Sequence, residues 1–205
     1  MSRVPRLLLA TGNPDKAAEM AALLAGLRLT LLTRNDFSNL PEVEETADSF
    51  AGNAILKARS LADAAGVTAL ADDSGLCVDA LSGAPGIYSA RYAGEGCSYR
   101  DNNEKLLAAL TGVPRESRTA RFVCVVAIVA PGGDPMTFEG LCEGHITSTR
   151  HGDAGFGYDP VFEVGDSGVT FAQMAPAEKG RISHRAMAFK RATAWLAEHI
   201  QDLTT

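Results

Sequence analysis

Short apolar runs alternate with polar turns along the first third of the chain. The run at residues 6–10 predicts a buried strand, and the polar TGNPDK turn leads from it into an Ala- and Leu-rich helix ending near Gly26. Residues 27–32 predict a second strand. A second helix is expected from about residue 49 to residue 65, because apolar residues recur there at helical spacing. The chain therefore opens as strand, loop and helix.

The ADDSG segment at residues 71–75 places two carboxylates in an apolar stretch. Residues 67–71 and 76–78 are strand-like, and we expect the Ser-Gly pair between them to form a turn. Because side chains alternate along a strand, one of Asp72 and Asp73 should point inward. A buried carboxyl needs a metal, a cationic partner or a proton-transfer role to offset its desolvation. This segment is the first candidate for a functional site.

The second half of the chain predicts two helices and a strand pair. A helix is expected over residues 99–110, and residues 121–129 and 136–146 predict long antiparallel strands joined by a PGGDP turn. A glycine-rich loop, GDAGFGYDP, follows at residues 152–160. The final helix should begin near Ser183, which is a suitable N-cap residue.

Composition and charge narrow the class of protein. A chain of 205 residues without a linker or a repeat predicts a single domain, residues 1–205, and its short apolar runs predict neither a signal peptide nor a membrane span, so the expected location is the cytoplasm. A net charge of −6 argues against a nucleic-acid polymer as partner, while a free nucleotide with Mg2+ remains compatible. The four cysteines show no CxxC spacing and predict reduced, structural thiols.

The turn after the first strand is a candidate phosphate site. Thr11, Gly12, Asn13 and Lys16 stand where a strand leads into a helix, and backbone N–H groups at a helix start attract phosphate oxygens. The P-loop pattern is absent, so a plain connection is the alternative. Lys57 on the second helix shares a face with Asn53 and could reach the same phosphates, although a lone helical lysine is usually solvated.

An acidic loop offers a partner for the ADDSG carboxylates. Mg2+ prefers a few carboxylates together with phosphate oxygens and waters, and Glu44 or Glu45 with an aspartate from ADDSG would make such a set. An ordinary solvated acidic loop is the alternative.

Aromatic and cationic residues in the last third are candidates for base recognition. Phe156 in the FGYDP loop offers a stacking surface, and Asp159 is restricted by the proline after it. Lys179, His184 and Arg185 add nitrogen donors near the start of the last helix, where a positive side chain is locally unfavourable. A tight structural loop and surface cations are the alternatives.

Five segments in order resemble one known family. The segments LLLATGNPDKAAEM, SFAGNAILKA, ADDSGLCVDALSGAPGIYSARYAG, GFGYDP and EKGRISHR resemble the inosine/xanthosine triphosphate pyrophosphatase family, and the similarity spans nearly the whole chain. The resemblance implies an elongated, two-lobed α/β fold with a central mixed sheet flanked by helices, a substrate cleft between the lobes, and a homodimer. It also implies Mg2+-dependent hydrolysis of ITP, dITP and XTP to the monophosphate and pyrophosphate.

The resemblance assigns roles to matching positions. Asp73 would be the catalytic carboxylate and, with Glu45, a ligand of Mg2+. The positions that would contact the nucleotide are Thr11, Gly12, Asn13, Pro14, Asp15, Lys16, Ser74, Phe156, Gly157, Tyr158, Asp159, Lys179, His184 and Arg185. Two positions depart from the family pattern, since Gly52 replaces a frequent Glu and Gly180 stands where a polar residue is common.

These residues define a hypothesis for the reaction. With Mg2+ between Glu45 and Asp73, a water activated by a carboxylate would attack the α-phosphorus while Lys16 and Lys57 neutralise the leaving pyrophosphate. Adjacency alone leaves open whether Asp72 or Asp73 is the base. Donors from the Lys179, His184 and Arg185 group would favour the 6-oxo group of hypoxanthine and xanthine over adenine.

Two other functions fit parts of the sequence. The Asp-Ser-Gly run in an apolar setting is also typical of aspartic proteases, which would need a second such loop from a partner or a duplicated half and no metal. A regulator that binds a purine nucleotide without cleaving it is the second alternative. Acids beside a triphosphate weaken its binding unless a cation intervenes, and this argues against the regulator.

Overall fold

The structure is a computed structural model that describes residues 4–200. Within those residues the chain forms six strands and five α-helices. They are β1 (Arg6–Leu9), α1 (Pro14–Leu24), β2 (Thr30–Leu32), α2 (Phe50–Ala65), β3 (Ala69–Val78), α3 (Tyr99–Ala109), β4 (Thr119–Val129), β5 (Met136–Ile146), β6 (Phe162–Val164), α4 (Pro176–Ile182) and α5 (His184–His199).

The strands of the described chain form one mixed sheet in the order β2-β1-β3-β4-β5-β6. β1 pairs in parallel with both β2 and β3, with Leu8 opposite Leu32 on one side and Ala69 on the other. β5 pairs antiparallel with β6, and β4 reaches β5 through a short connection of the kind that joins antiparallel neighbours. The expected α/β class with a central mixed sheet and flanking helices is confirmed.

Two compact units make up the described part of the chain, and each has its own hydrophobic core. The first comprises residues 4–73, 124–140 and 186–200, and its core includes Leu7, Leu70 and Phe189. The second comprises Ser74–Val123 and Leu141–Arg185, and its core includes Phe162 and Phe171. The chain passes from the first unit to the second between Asp73 and Ser74, two consecutive residues of β3.

Local sequence signals fix the ends of the helix that follows the acidic loop. The Ser49 hydroxyl accepts a hydrogen bond from the Gly52 amide and caps α2, and Gly66 ends the helix in the left-handed conformation at φ 63°. The predicted start and end of this helix are confirmed to within one residue. The predicted helices before and after it, α1 and α3, are confirmed with similar bounds.

Other predicted elements need correction. The Ser74–Gly75 pair does not form a turn, because β3 runs without a break through both residues. β2 is shorter than predicted, and two elements, β6 and α4, were not predicted at all. The final helix, α5, begins at His184, directly after Ser183, so its predicted start is confirmed, and Ser183 also ends α4.

No helix within residues 4–200 is long and apolar enough to cross a membrane. All four cysteines are free thiols, as the lack of CxxC spacing predicts.

Candidate active site

The two carboxylates of β3 are both buried. Asp72 is 2% exposed and Asp73 is 5% exposed, so the expectation that strand alternation buries only one of them is wrong. β3 lies inside the sheet between β1 and β4, and the residues before the pair are fully buried as well. Both acids therefore need partners that offset the loss of hydration.

Asp73 shares a lysine with the acidic loop. The Lys57 ammonium lies 3.2 Å from Asp73 Oδ1 and 2.6 Å from Glu45 Oε1. The Lys57 side chain is only 14% exposed. The alternative that Lys57 is a solvated surface lysine is therefore wrong. Glu45 and Asp73, the two carboxylates that the resemblance assigns to a metal, thus contact the same ammonium group.

A second residue of α2, for which the sequence predicts no role, also contacts Asp73. Asn53 lies one helical turn before Lys57, and its Nδ2 donates a hydrogen bond of 3.3 Å to Asp73 Oδ2. Its Oδ1 accepts one of 3.0 Å from the Ala47 amide, two residues after Glu45. The available signal was the shared face of positions 53 and 57, since residues four apart on a helix are neighbours.

Asp72 has different partners. Its Oδ2 lies 3.4 Å from the ammonium of Lys16 on α1, and the Cys124 thiol donates a long hydrogen bond of 3.8 Å to the same oxygen. The two neighbouring acids are therefore distinguished by their contacts, which sequence adjacency could not show. Asp72 pairs with Lys16, and Asp73 pairs with Lys57.

We call this group of charged side chains the carboxylate cluster. Among the described residues it contains the carboxylates of Glu45, Asp72 and Asp73 and the ammonium groups of Lys16 and Lys57. Burial raises the pKa of Asp73, and the charge on Glu45 raises it further against the opposite effect of the two lysines. Burial acts to lower the pKa of Lys57, but the surrounding carboxylates outweigh it and the pKa is raised. An additional cation would therefore stabilise the ionised carboxylates.

The donor set of this cluster fits a hard divalent cation. Glu45 and Asp73 supply carboxylate oxygens, and Mg2+ binds through one or two carboxylates plus substrate phosphates and waters. Within residues 4–200 no group of three or more His, Cys, Asp or Glu side chains is arranged to hold a metal. Two carboxylates would leave the other coordination positions of such an ion to phosphate oxygens and waters.

The turn from β1 to α1 is organised by Asn13. Its Oδ1 accepts hydrogen bonds from the backbone amides of Asp15, at 2.9 Å, and Lys16, at 3.2 Å. The backbone amide of Asn13 donates a hydrogen bond to Thr11 Oγ1. Asn13 is therefore the N-cap of α1, with Pro14 in the first turn. The expectation that the first helix amides are free to bind phosphate needs correction, because Asn13 already occupies two of them.

In the second unit, Asp159 anchors the glycine-rich loop. Its Oδ2 accepts hydrogen bonds from the Phe156 amide at 2.9 Å and from Lys179 Nζ at 2.6 Å. A Cβ on Gly155 would lie 2.0 Å from the same oxygen, and the φ of Gly155 is +74°, so only glycine fits there. Gly157 also has a positive φ, and its carbonyl accepts a hydrogen bond from Asn103 Nδ2.

Two cations lie over the ring of Phe156. Lys179 Nζ is 4.8 Å and the Arg185 guanidinium 5.8 Å from the ring centroid. Arg185 is buried and donates a hydrogen bond of 2.9 Å to Ser74 Oγ. This cluster, which we call the aromatic–cation cluster, therefore reaches β3 at the residue directly after Asp73.

The remaining predicted residues of this unit have structural contacts. His184 stacks on Phe122 with ring centroids 4.6 Å apart. Tyr158 is buried in the core, where burial raises the pKa of its phenol, and its hydroxyl donates to the Ser89 carbonyl. The Tyr158 side chain thus packs in the hydrophobic core of the second unit.

Comparisons with known proteins agree with this arrangement. The Ham1 family model matches residues 7–195. A dITP/XTP pyrophosphatase from Geobacter sulfurreducens is 49% identical over 195 residues, which cover 95% of this chain and 96% of that protein. A dITP/XTP pyrophosphatase from Thioalkalivibrio sulfidiphilus is 50% identical over 187 residues, which cover 90% and 95%.

Solved structures give the same result for the fold. A HAM1 protein from Coxiella burnetii superposes with a TM-score of 0.89 at 40% identity, covering 95% of this chain and all of that one. A dITP/XTP pyrophosphatase from Mycobacterium abscessus has a TM-score of 0.76 at 41% identity, covering 93% of this chain and 98% of that one.

Proposed function

Since the chain belongs to the Ham1 family, we propose that it hydrolyses the deaminated purine nucleoside triphosphates dITP, ITP and XTP to the monophosphate and pyrophosphate, using Mg2+. The single observation that carries the proposal is the convergence of Glu45 and Asp73 on one ammonium group. The names of relatives at about half identity over nearly the full chain support dITP and XTP as substrates.

The two clusters divide the nucleotide between them in this proposal. Lys16, Lys57 and the Thr11–Lys16 turn bind the triphosphate, while Phe156 stacks on the base. Ser74, which follows Asp73 directly in the chain, accepts a hydrogen bond from Arg185 of the aromatic–cation cluster.

The residues of the first unit carry the chemistry. A divalent cation held by Glu45 and Asp73 would neutralise phosphate oxygens and acidify a bound water. Asp73 orients the attacking water and accepts its proton, which suits a carboxyl whose pKa is raised by burial. The water oxygen bonds to the α-phosphorus as the bond to the bridging oxygen breaks, and Lys16 and Lys57 neutralise the charge on the departing pyrophosphate.

Base choice follows from the donors in the second unit. Hypoxanthine and xanthine present an oxygen acceptor at position 6, where adenine presents an amino donor. A protein donor such as Arg185 or His184 facing that position would pair with the oxygen and be left unsatisfied by the amino group, a loss of about 1–3 kcal/mol.

The protease alternative loses support in the structure. The expectation that the chain has a single Asp-Ser-Gly run, at residues 73–75, is wrong, because a second run at residues 166–168 could have supplied the second catalytic loop. That run lies in an exposed turn after β6, with the Asp166 side chain 82% exposed and near Arg115. Asp73, by contrast, is buried against Lys57, whereas a protease dyad requires two facing carboxyls.

The test is product analysis with purified protein. With dITP and Mg2+ we expect dIMP and pyrophosphate in equal amounts, little turnover of ATP, and loss of activity with EDTA that Mg2+ restores. Activity that persists in EDTA, or equal rates on ATP and dITP, would contradict the proposal. Tight binding of dITP without cleavage would favour the regulator instead.

We also propose that the chain acts as one domain, residues 1–205, and as a homodimer in the cytoplasm, without a membrane or a nucleic-acid polymer as partner. The net charge of −6 supports the last point. Light scattering after gel filtration should give twice the chain mass of 21.5 kDa, and a monomer mass would refute the dimer.

A further inference from the structure

Asn53 is a buried polar residue inside the carboxylate cluster, and neither the resemblance nor the proposed reaction gives it a role. It is 1% exposed and lies in α2 as the fourth residue after the capping Ser49. Asparagine is a poor helix former and costs free energy to bury, so its amide must gain something from its contacts.

The contacts of Asn53 fix how its amide is oriented. The Ala47 amide is a donor and requires an acceptor, so Oδ1 faces Ala47 and Nδ2 must face Asp73. One rigid planar group thus joins the strand that carries Asp73 to the segment that carries Glu45. Both bonds connect parts of the chain that are separate in sequence.

α2 holds each carboxylate-bearing segment at two points, through contacts of two kinds. Lys57 provides charged contacts to Asp73 Oδ1 and Glu45 Oε1, and Asn53 provides neutral contacts to Asp73 Oδ2 and the Ala47 amide. Any cation or phosphate at the cluster competes with the charged contacts. The Asn53 amide carries no net charge, so a cation at the cluster repels the Lys57 ammonium but not the Asn53 donor.

From this we infer that Asn53 is a positioning residue that holds Asp73 and the Glu45 segment in the geometry that binds the divalent cation. The inference rests on the proposed function and extends it to a residue that touches neither cation nor nucleotide. Residues of this kind, which orient the ligands of a metal, typically contribute about 10- to 100-fold to metal affinity or activity.

The chain offers a closely matched control in α3. Asn102 is also buried, is also the fourth residue of its helix, and follows Ser98 as Asn53 follows Ser49. Its amide accepts from the Ala93 amide and donates to the Ala90 carbonyl, so it also joins a preceding loop to a helix. It has no contact with the carboxylate cluster among the hydrogen bonds of the described residues.

The experiment measures Mn2+ affinity by electron paramagnetic resonance in the presence of the α,β-imido analogue of dITP. Asn53→Ala and Asn53→Leu should weaken Mn2+ binding about 10- to 100-fold and lower kcat for dITP by a similar factor, with KM nearly unchanged. Asn102→Ala and Asn102→Leu should lose comparable thermal stability but keep Mn2+ affinity within about twofold of the parent. The Leu variant keeps the branched shape of the side chain and allows the measurement should the Ala variant unfold.

Two results overturn the inference in different ways. If folded Asn53 variants bind Mn2+ as well as the Asn102 variants do, Asn53 is only a structural residue and the proposed function is unaffected. If the parent protein neither binds Mn2+ with the analogue nor cleaves dITP, the proposed function fails and the inference fails with it.

Discussion

Lys57 is the residue on which the carboxylate cluster depends most directly. It contacts Glu45 and Asp73 together, and in the proposed reaction it also neutralises the leaving group. Lys57→Met keeps most of the side-chain volume and removes the charge, so we expect kcat for dITP to fall about 100-fold, the usual loss on removing one preorganised donor. Steady-state kinetics measures the effect, with circular dichroism to show that the variant folds.

Lys105 provides the control for that substitution. It is a lysine of the second unit that binds the Tyr92 carbonyl and lies 4.6 Å from the Tyr92 ring centroid. Lys105→Met should leave kcat unchanged. Equal kcat values for Lys57→Met and the parent would show that the charge at position 57 takes no part in the reaction.

The sequence identified most of the residues that the structure brings together, but not their contacts. Lys57 was a candidate from its helix position, and the resemblance selected Glu45 and Asp73 from the neighbouring acids Glu44 and Asp72. Asn53 shares a helix face with Lys57 in the sequence pattern, but that pattern alone assigns no role to a single asparagine. Its importance depends on contacts with Ala47 and Asp73, and only the folded chain brings those residues together.

Gly52, at the start of α2, shows how one helix position constrains the neighbouring loop. Alanine in place of a helical glycine usually stabilises a protein by about 1 kcal/mol. At Gly52 the added Cβ would lie 2.6 Å from Ala47 Cβ and 3.1 Å from Ser49 Oγ. We therefore expect Gly52→Ala to gain no stability and to lower kcat, because the segment after Glu45 must shift.

Gly180 of α4 is the matched control. A Cβ at Gly180 meets no heavy atom of the described residues within 4 Å, so Gly180→Ala should raise the free energy of unfolding by up to about 1 kcal/mol. Urea unfolding of both variants measures the contrast. An equal gain in both would show that the 45–47 segment does not pack against α2 as described.

The start of α3 gives a pH-dependent prediction. Asp101 accepts hydrogen bonds from the side chain and the amide of Ser98, and these bonds hold the pKa of Asp101 below its usual value. A carboxyl with a lowered folded-state pKa stabilises the fold above its unfolded pKa of about 3.9, and that contribution is lost as pH falls through the folded pKa. Asp101→Asn removes the charge and should be less stable than the parent at pH 7.

The difference in unfolding free energy between Asp101→Asn and the parent should stay constant from pH 7 to about pH 5 and shrink below about pH 4, where the parent carboxyl becomes protonated. Urea titrations across this range measure it. A difference that grows in acid would contradict the assignment of the capping interaction to the ionised form.

Long periodic elements could be predicted from the sequence, and short or buried ones could not. The spacing of apolar residues in α1, α2 and α3 gave their bounds closely. β3 was read as two pieces because Asp72, Asp73, Ser74 and Gly75 interrupt its apolar pattern. The strand continues through these residues because β3 lies between β1 and β4 in the sheet. Backbone hydrogen bonds to neighbouring strands form whatever the side chains are. β6 and α4 are too short to show a period.

At the scale of the whole molecule, the chain forms two units with separate cores. The acids and lysines belong to the first unit, and the aromatic–cation cluster belongs to the second. The resemblance predicted these residues, because the segments that carry them resemble the family's motifs in the same order along the chain. Their grouping by unit could not be predicted, because strands β3, β4 and β5 each pass from one unit to the other.

The most direct test of the account is a crystal structure of the protein with Mn2+ and the α,β-imido analogue of dITP, with the ion located by its anomalous scattering. The account predicts one Mn2+ peak within about 2.3 Å of carboxylate oxygens from both Glu45 and Asp73 and of a phosphate oxygen. A peak that contacts neither carboxylate, or a nucleotide bound with no ion near them, would contradict it.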